Sequence, residues 1–154
     1  MDKIDRQILE FLLQDARTPF SGIANHLGLC VDTVSKRYAK MKQMRIIRSA
    51  TLFLDFSKLG AGLVACLSIT AESGHCSEIE VKLRDIEEVF LTGKTFGAFD
   101  IFALAAVADL ESLDELRDRV LGIRQVEGCE VSIFTTGLNF ISSNQLPKSM
   151  RAWQ

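Results

Sequence analysis

The chain has 154 residues, 47% of them hydrophobic and 25% charged, an ordinary composition for a soluble globular protein sized for one large domain or two small ones. No apolar run approaches the roughly 20 residues that cross a membrane. The opening MDKIDRQ has no signal-peptide core, so a cytoplasmic protein without a membrane partner is expected. The formal net charge of -2 hides an asymmetry: residues 1–48 hold nine Lys and Arg against five Asp and Glu, or +4, which leaves -6 for the rest. A basic head on an acidic body fits a nucleic-acid-binding module joined to a module with another job. Cys30, Cys66, Cys76 and Cys129 show no paired spacing and are expected as free thiols, with no metal site and no cofactor.

A first helix is expected to run to about Gln14, capped by Asp2 or Asp5, with Ile4, Ile8, Leu9, Leu12 and Leu13 as its apolar stripe. Residues 18–48 then read as a helix, a tight turn and a second, more basic helix. Ile23, Ala24 and Leu27 share one face of the first, and Gly28 suits the turn. Val34, Tyr38 and Met41 recur at i, i+4, i+7 and give the second a buried stripe. Its other faces carry Asp32, Thr33, Ser35, Lys36, Lys40, Lys42 and Gln43. Two short helices joined at a glycine, the second cationic outside, form the helix-turn-helix pattern whose second helix enters the DNA major groove. A solvated charged face is the plainer reading. Only one acid, Asp32, interrupts side chains that can meet phosphates or base edges, and this favours double-stranded DNA. Lys36 and Lys40 are expected to carry the salt-dependent part of that binding.

Ile46-Ile47 and residues 51–56 read as short extended segments. The stretch DFSKLGAG at 55–62 mixes polar residues and glycines before a strongly apolar run, and marks the domain boundary. The expected division is a winged or plain helix-turn-helix domain at 1–48, a linker at 49–62, a second domain at 63–137 and a tail at 138–154.

That second domain contains an internal echo. LVACLSITA at 63–71 is a strand candidate. Ser77 opens a helix with Glu80 three residues on, a capping box, and Ile79, Leu83 and Ile86 as its inner face. Residues 89–92 return as a strand, and FDIFALAAVA at 99–108 is another. Ser112 and Glu115 form a second capping box before a helix whose inner face is Leu113, Leu116 and Val120, and residues 130–136 close as a strand. The fold class is therefore α+β: a three-helix head joined to a ferredoxin-like βαββαβ domain with an antiparallel four-stranded sheet and both helices on one face. Strand 99–108 is apolar on both sides and strand 63–71 nearly so, while two helices cover only one face of a sheet. The second face is expected to meet another subunit, the alternative being cover by the chain's own loops.

The segment TGKTFGAFD at 92–100 links the two halves of the echo. It reads as a plain β-hairpin or as a small-ligand loop, with the glycine amides, Thr95 and Asp100 as donors and acceptors. Asp100 opens an apolar strand and needs a partner, either a ligand amino group or a backbone N–H. The tail mixes polar and basic residues, with a short edge strand expected at 139–141 and Trp153 free or docked.

These residues resemble a known family. The opening DKIDRQILEFLLQDAR, then IANHLGL, then Val34-x-x-Arg37, and finally Gly97-Ala98-Phe99-Asp100 resemble the Lrp/AsnC transcriptional regulators from Ile4 to about Thr136. The resemblance implies a helix-turn-helix followed by a ferredoxin-like, ligand-binding RAM domain. It implies homodimers that assemble further, for example to octamers, and an amino acid or related metabolite as effector. It makes Val31–Gln43 the recognition helix, with Asp32, Thr33, Ser35, Lys36, Arg37 and Lys40 as DNA-binding residues, Arg37 meeting phosphate or bracing the fold. It makes Gly93, Thr95, Phe96, Gly97, Ala98, Phe99 and Asp100 the effector-binding set. Catalytic residues are not implied.

Four positions depart from the family pattern. Cys30 stands where serine is usual and is a poor N-cap. Arg45 stands near a usual glycine, and an arginine at positive φ costs on the order of 1 kcal/mol. Pro19-Phe20 replaces a polar helix start. Ala98 replaces an acidic or polar residue. Two other readings share the architecture. One is a sirohaem-type tetrapyrrole decarboxylase, for which only His26 and His75 are available. The other is an assembly partner with weak DNA binding.

Overall fold

A computed structural model describes residues 1–52 and 54–135. They divide into two compact units at the junction of residues 53 and 54, each with its own apolar core. Among the described residues no helix is long and apolar enough to cross a membrane.

The first unit is three helices: α1 (Lys3–Gln14), α2 (Phe20–Leu27) and α3 (Val31–Gln43). Both acids at the start of α1 are used. Asp2 accepts from the Ile4 and Asp5 backbone N–H groups, while the Asp5 carboxylate accepts from the Asp2 N–H, a complete capping box. Ile8, Ile23, Ala24, Val34 and Met41 are fully or almost fully buried and form the core. Leu13, expected in the α1 stripe, is 45% exposed. Phe11 packs against the core instead and meets the His26 ring edge-on at 5.1 Å. Tyr38 is half-buried, its ring 5.1 Å from that of Phe20. Gly28 ends α2 at φ 65, a left-handed conformation, with its N–H donating to the Ala24 carbonyl.

The end of α3 places Arg45 where the sequence feared it. Arg45 has φ 55, its N–H donates to Lys42 and the Ile46 N–H donates to Met41, the two bonds of a Schellman motif with arginine at the glycine position. Relief of a strain of about 1–2 kcal/mol should outweigh the extra unfolded-state freedom of glycine, about 0.5–1 kcal/mol. Arg45→Gly is therefore expected to raise the melting temperature of this unit by a few degrees, as read by thermal circular dichroism; a lower temperature would contradict the strain.

The second unit runs from a 3-10 turn (Phe56–Leu59) through β1 (Leu63–Ala71), α4 (Cys76–Arg84), β2 (Val89–Lys94), β3 (Ile101–Val107) and α5 (Leu110–Leu121) to β4 (Val126–Ile133). The sheet is antiparallel with strand order β2-β3-β1-β4, the ferredoxin-like arrangement. Ala65, Leu67 and Ile69 of β1 and Ile101, Ala103 and Ala105 of β3 are fully buried together with Ile79 and Leu83 of α4 and Leu116 and Val120 of α5. All four cysteines are free, and burial pushes the Cys129 thiol up to about 11.

Several expectations are corrected here. Neither Ile46-Ile47 nor the described part of 51–56 is a strand, and Phe56 instead opens the 3-10 turn with its ring 4.6 Å from that of Phe90. β2 extends to Lys94, and β3 starts at Ile101 rather than Phe99. β4 begins at Val126, four residues early: pairing of Thr70 with Gly128 and Ala71 with Val126 across a bulge overrides the weak strand preference of Glu127 and Gly128. Neither capping box in this unit forms. α4 begins at Cys76, so Ser77 lies inside the helix, where its hydroxyl accepts from Lys94 Nζ at 2.7 Å. At α5 the cap is Asp109, whose carboxylate accepts from both the backbone N–H and the hydroxyl of Ser112. The expected end of the last strand at Thr136, the edge strand at 139–141 and Trp153 lie outside the described residues.

Candidate functional site

The site in the first unit is the outer surface of α3. Burial of Val34 and Met41 and packing of Tyr38 on Phe20 fix which way the helix faces. Exposed to solvent are Asp32, Ser35, Lys36, Ala39, Lys40 and Gln43, which recur at i, i+3, i+4, i+7, i+8, i+11 and so form one continuous stripe. Four of the six residues expected to contact DNA (Asp32, Ser35, Lys36 and Lys40) are brought together on it. Ala39 and Gln43 belong to the same stripe. Gln43 was already placed on an outer face by the sequence, and the spacing from Asp32 adds Ala39, which is small and was passed over. Val31, at the first turn, is 47% exposed despite its apolar side chain.

The other two expected contacts turn away. The guanidinium of Arg37 donates to Asp2 at 2.6 Å and to Asp5 at 2.8 Å, so it clamps α3 to the capped start of α1. Of the two roles expected for Arg37, these ion pairs are the bracing one. The Asp5 backbone N–H and then this guanidinium hold the Asp2 carboxyl below the usual carboxylate range. Thr33, one turn before Arg37, is half-buried with its hydroxyl 2.9 Å from the Cys30 sulfur. That bond, with the Thr33 N–H, lowers the Cys30 thiol below its ordinary value. Cys30 caps α3 only through its carbonyl, which accepts from Thr33 and Val34.

Lys36 differs from the expectation in one respect. Its ammonium lies 2.7 Å from Asp32 Oδ2, and both side chains are more than 70% exposed. Its charge is thus largely matched within the helix, whereas no ion pair is seen for Lys40 among the described residues.

In the second unit the hairpin joins β2 to β3. Gly93 pairs with Phe102, and a Cβ there would collide with the Phe102 ring, so the strand needs glycine at that point for close approach. The Thr95 N–H donates to the Asp100 carbonyl at 2.8 Å and its hydroxyl to the Phe99 carbonyl at 2.5 Å. Asp100 finds the backbone partner its position demanded: Oδ2 accepts from the Ala71 N–H at 2.9 Å, and its own N–H donates to Ile69 at 3.0 Å. The polar groups of Thr95 and Asp100 thus shape the loop and tie it to β1. Phe96, Gly97 and Ala98 face solvent, Phe96 fully so, and Phe99 is half-buried.

The sheet face opposite α4 and α5 is mixed. Register places Leu104, Cys66 and Ser132 in one row and Phe102, Ser68 and Glu130 in the next, with Val64, Ala106 and the 43%-exposed Leu91 nearby. β1 is therefore less apolar on this side than its sequence implied, because Ser68 and Thr70 fall there.

A three-helix head with a polar, cationic third helix, followed by a ferredoxin-like domain, defines a two-part DNA-binding regulator. The comparisons with known proteins agree. An AsnC-type helix-turn-helix domain matches residues 1–42 and an Lrp/AsnC ligand-binding domain matches residues 64–137. An HTH-type transcriptional regulator of Pyrococcus furiosus is 35% identical over 88% of this chain and 93% of its own length. The HTH-type transcriptional regulator FL11 of Pyrococcus abyssi is 28% identical over 86% and 88%. Among solved structures, AsnC of E. coli has a TM-score of 0.80 at 26% identity and covers 94% of this chain and 99% of its own. A transcriptional regulator of Neisseria meningitidis, solved in complex with L-Met, has a TM-score of 0.82 at 19% identity over 96% of each chain. The chain belongs to the Lrp/AsnC family of transcriptional regulators.

Proposed function

We propose that α3 meets duplex DNA through the stripe of Asp32, Ser35, Lys36, Ala39, Lys40 and Gln43, and that the second unit assembles copies of the chain and binds a small effector. The observation that carries this is the stripe itself: a continuous outward surface on the second helix of a helix-turn-helix, short-polar at its N-terminal end and cationic further along. Lys40 is the phosphate contact in this reading. The mixed sheet face around Leu104 and Cys66, apolar at its centre with Ser68, Thr70, Glu130 and Ser132 about it, fits the anatomy of a subunit interface. A homodimer built on it spaces two heads, and further assembly such as an octamer spaces more. The effector is an amino acid or related metabolite bound at the 93–100 hairpin, where Phe96, Gly97 and Ala98 offer an open surface; the neighbour solved with L-Met supports that class. The domain limits 1–48, 49–62 and 63–137 serve this division of labour, and the protein works in the cytoplasm.

The chain acts in this reading as a regulator and not as an enzyme. The histidines that a tetrapyrrole decarboxylase would use are engaged separately, His26 against Phe11 and His75 with Glu78 at 3.4 Å. A weak-binding assembly partner is disfavoured by a recognition helix that keeps its full length, Val31–Gln43, despite Cys30 and Arg45 at its ends.

The test is a salt titration of DNA binding. Removing one phosphate contact per head by Lys40→Ala should lower the slope of log affinity against log salt by about 0.9 for each head bound and weaken all sequences alike. An unchanged slope would remove Lys40 from the interface.

A further inference from the structure

Asp32 is an anomaly on a surface meant for a polyanion. It is the only acid on α3, it lies in the first turn, and its side chain is 72% exposed on the outward stripe. A carboxylate there repels phosphate, a cost that a hydrogen bond accepted from a base would offset. Its pairing with Lys36 says which base edge it suits. Oδ2 is taken by the Lys36 ammonium at 2.7 Å, and among the described residues Oδ1 has no partner, which leaves it to accept. The ammonium has three protons and spends one on Asp32, which leaves two to donate. The pair thus presents two donors beside one acceptor.

The major-groove edge of a G·C pair is the complement: two acceptors on guanine, N7 and O6, beside one donor, the N4 amino group of cytosine. An A·T pair alternates acceptor, donor, acceptor and adds the thymine methyl, which leaves the carboxylate facing O4 or an apolar group. The N-terminal residues of a recognition helix are those that reach base edges, and Asp32 and Lys36 occupy its first two turns on one stripe. We infer that the Asp32–Lys36 pair reads a G·C base pair, Lys36 donating to guanine and Asp32 accepting from cytosine. This inference rests on the reading that α3 meets DNA, and it makes this pair, rather than single side chains, the specificity element of the head.

The experiment selects binding sites from a random duplex pool with the full-length chain and with Asp32→Ala, Lys36→Ala and Asp32→Asn. Both partners are exposed, and equal melting temperatures of the variants confirm that the fold is kept. The wild type should enrich sites with a G·C pair at one fixed position of each half-site. Both alanine variants should lose about tenfold or more of the preference at that position and keep it elsewhere. Asp32→Asn should shift it towards adenine, which asparagine pairs in bidentate fashion. A wild-type motif with no required G·C pair, or even weakening at every position in both alanine variants, would overturn the assignment and make Lys36 a phosphate contact. A wild-type pool that enriches no motif would overturn both the assignment and the reading of α3 on which it rests.

Discussion

Ile8→Ala is expected to abolish DNA binding while the strand-rich unit stays folded. Ile8 is fully buried at the centre of a small core, among Ile23, Ala24, Val34 and Met41. Truncating such a side chain costs about 2–5 kcal/mol, because the cavity only partly collapses. A unit of about 50 residues has only about 2.5–8 kcal/mol in total at the usual stability per residue. The substitution therefore removes much or all of what holds α3 in place. The core of the other unit, built from β1, β3, α4 and α5, contains no residue of the head. Scanning calorimetry should show one transition lost or moved to low temperature and one unchanged, with DNA affinity lost at 25 °C. A single transition moved down as a whole would show that the units unfold together and that the head does not stand on its own core.

Cys66→Glu should take the assembly apart. Cys66 lies on the sheet face away from the helices, between Leu104 and Ser132, and burial raises its thiol above its ordinary value. A carboxylate placed at the centre of a closed interface loses its water without gaining a partner, a cost of several kcal/mol. The mass seen by light scattering should fall to that of one chain. DNA affinity should fall with it by about 10²–10⁴, the factor that linked binding sites contribute. The far-ultraviolet circular dichroism should hold, because the mutated face lies opposite the core of the unit. If Cys66→Glu keeps the wild-type mass, the subunits meet elsewhere.

Legibility in the sequence followed the strength of local pattern. Leu63–Ala71 was readable to the residue from its largely apolar run, and the buried stripe of Val34, Tyr38 and Met41 declared the third helix, whose limits Val31–Gln43 the family resemblance supplied. β4 was not, because Glu127, Gly128 and Glu130 carry no alternation and are held in place by β1. The capping errors share one cause: Ser77 and Ser112 are adequate caps in isolation, but Asp109 outcompetes Ser112 and an earlier helix start leaves Ser77 inside. For the site, the outward stripe followed from period, whereas the role of Arg37 required knowing that Asp2 and Asp5, more than 30 residues away in the chain, would lie against it. Asp100 was flagged as needing a partner, but only strand register could name Ala71. The strain at Arg45 was foreseen from the family resemblance, which has a glycine near that position.

The central claim is that paired bodies hold α3 stripes at fixed spacing along one DNA duplex. A hydroxyl-radical footprint of the full chain on the site it selects tests this most directly. Protected patches should recur on one face of the DNA about one helical turn apart, or at a multiple of it, and Cys66→Glu should reduce them to weak, unlinked protection. A single protected patch, or a wild-type pattern that Cys66→Glu leaves unchanged, would contradict the account.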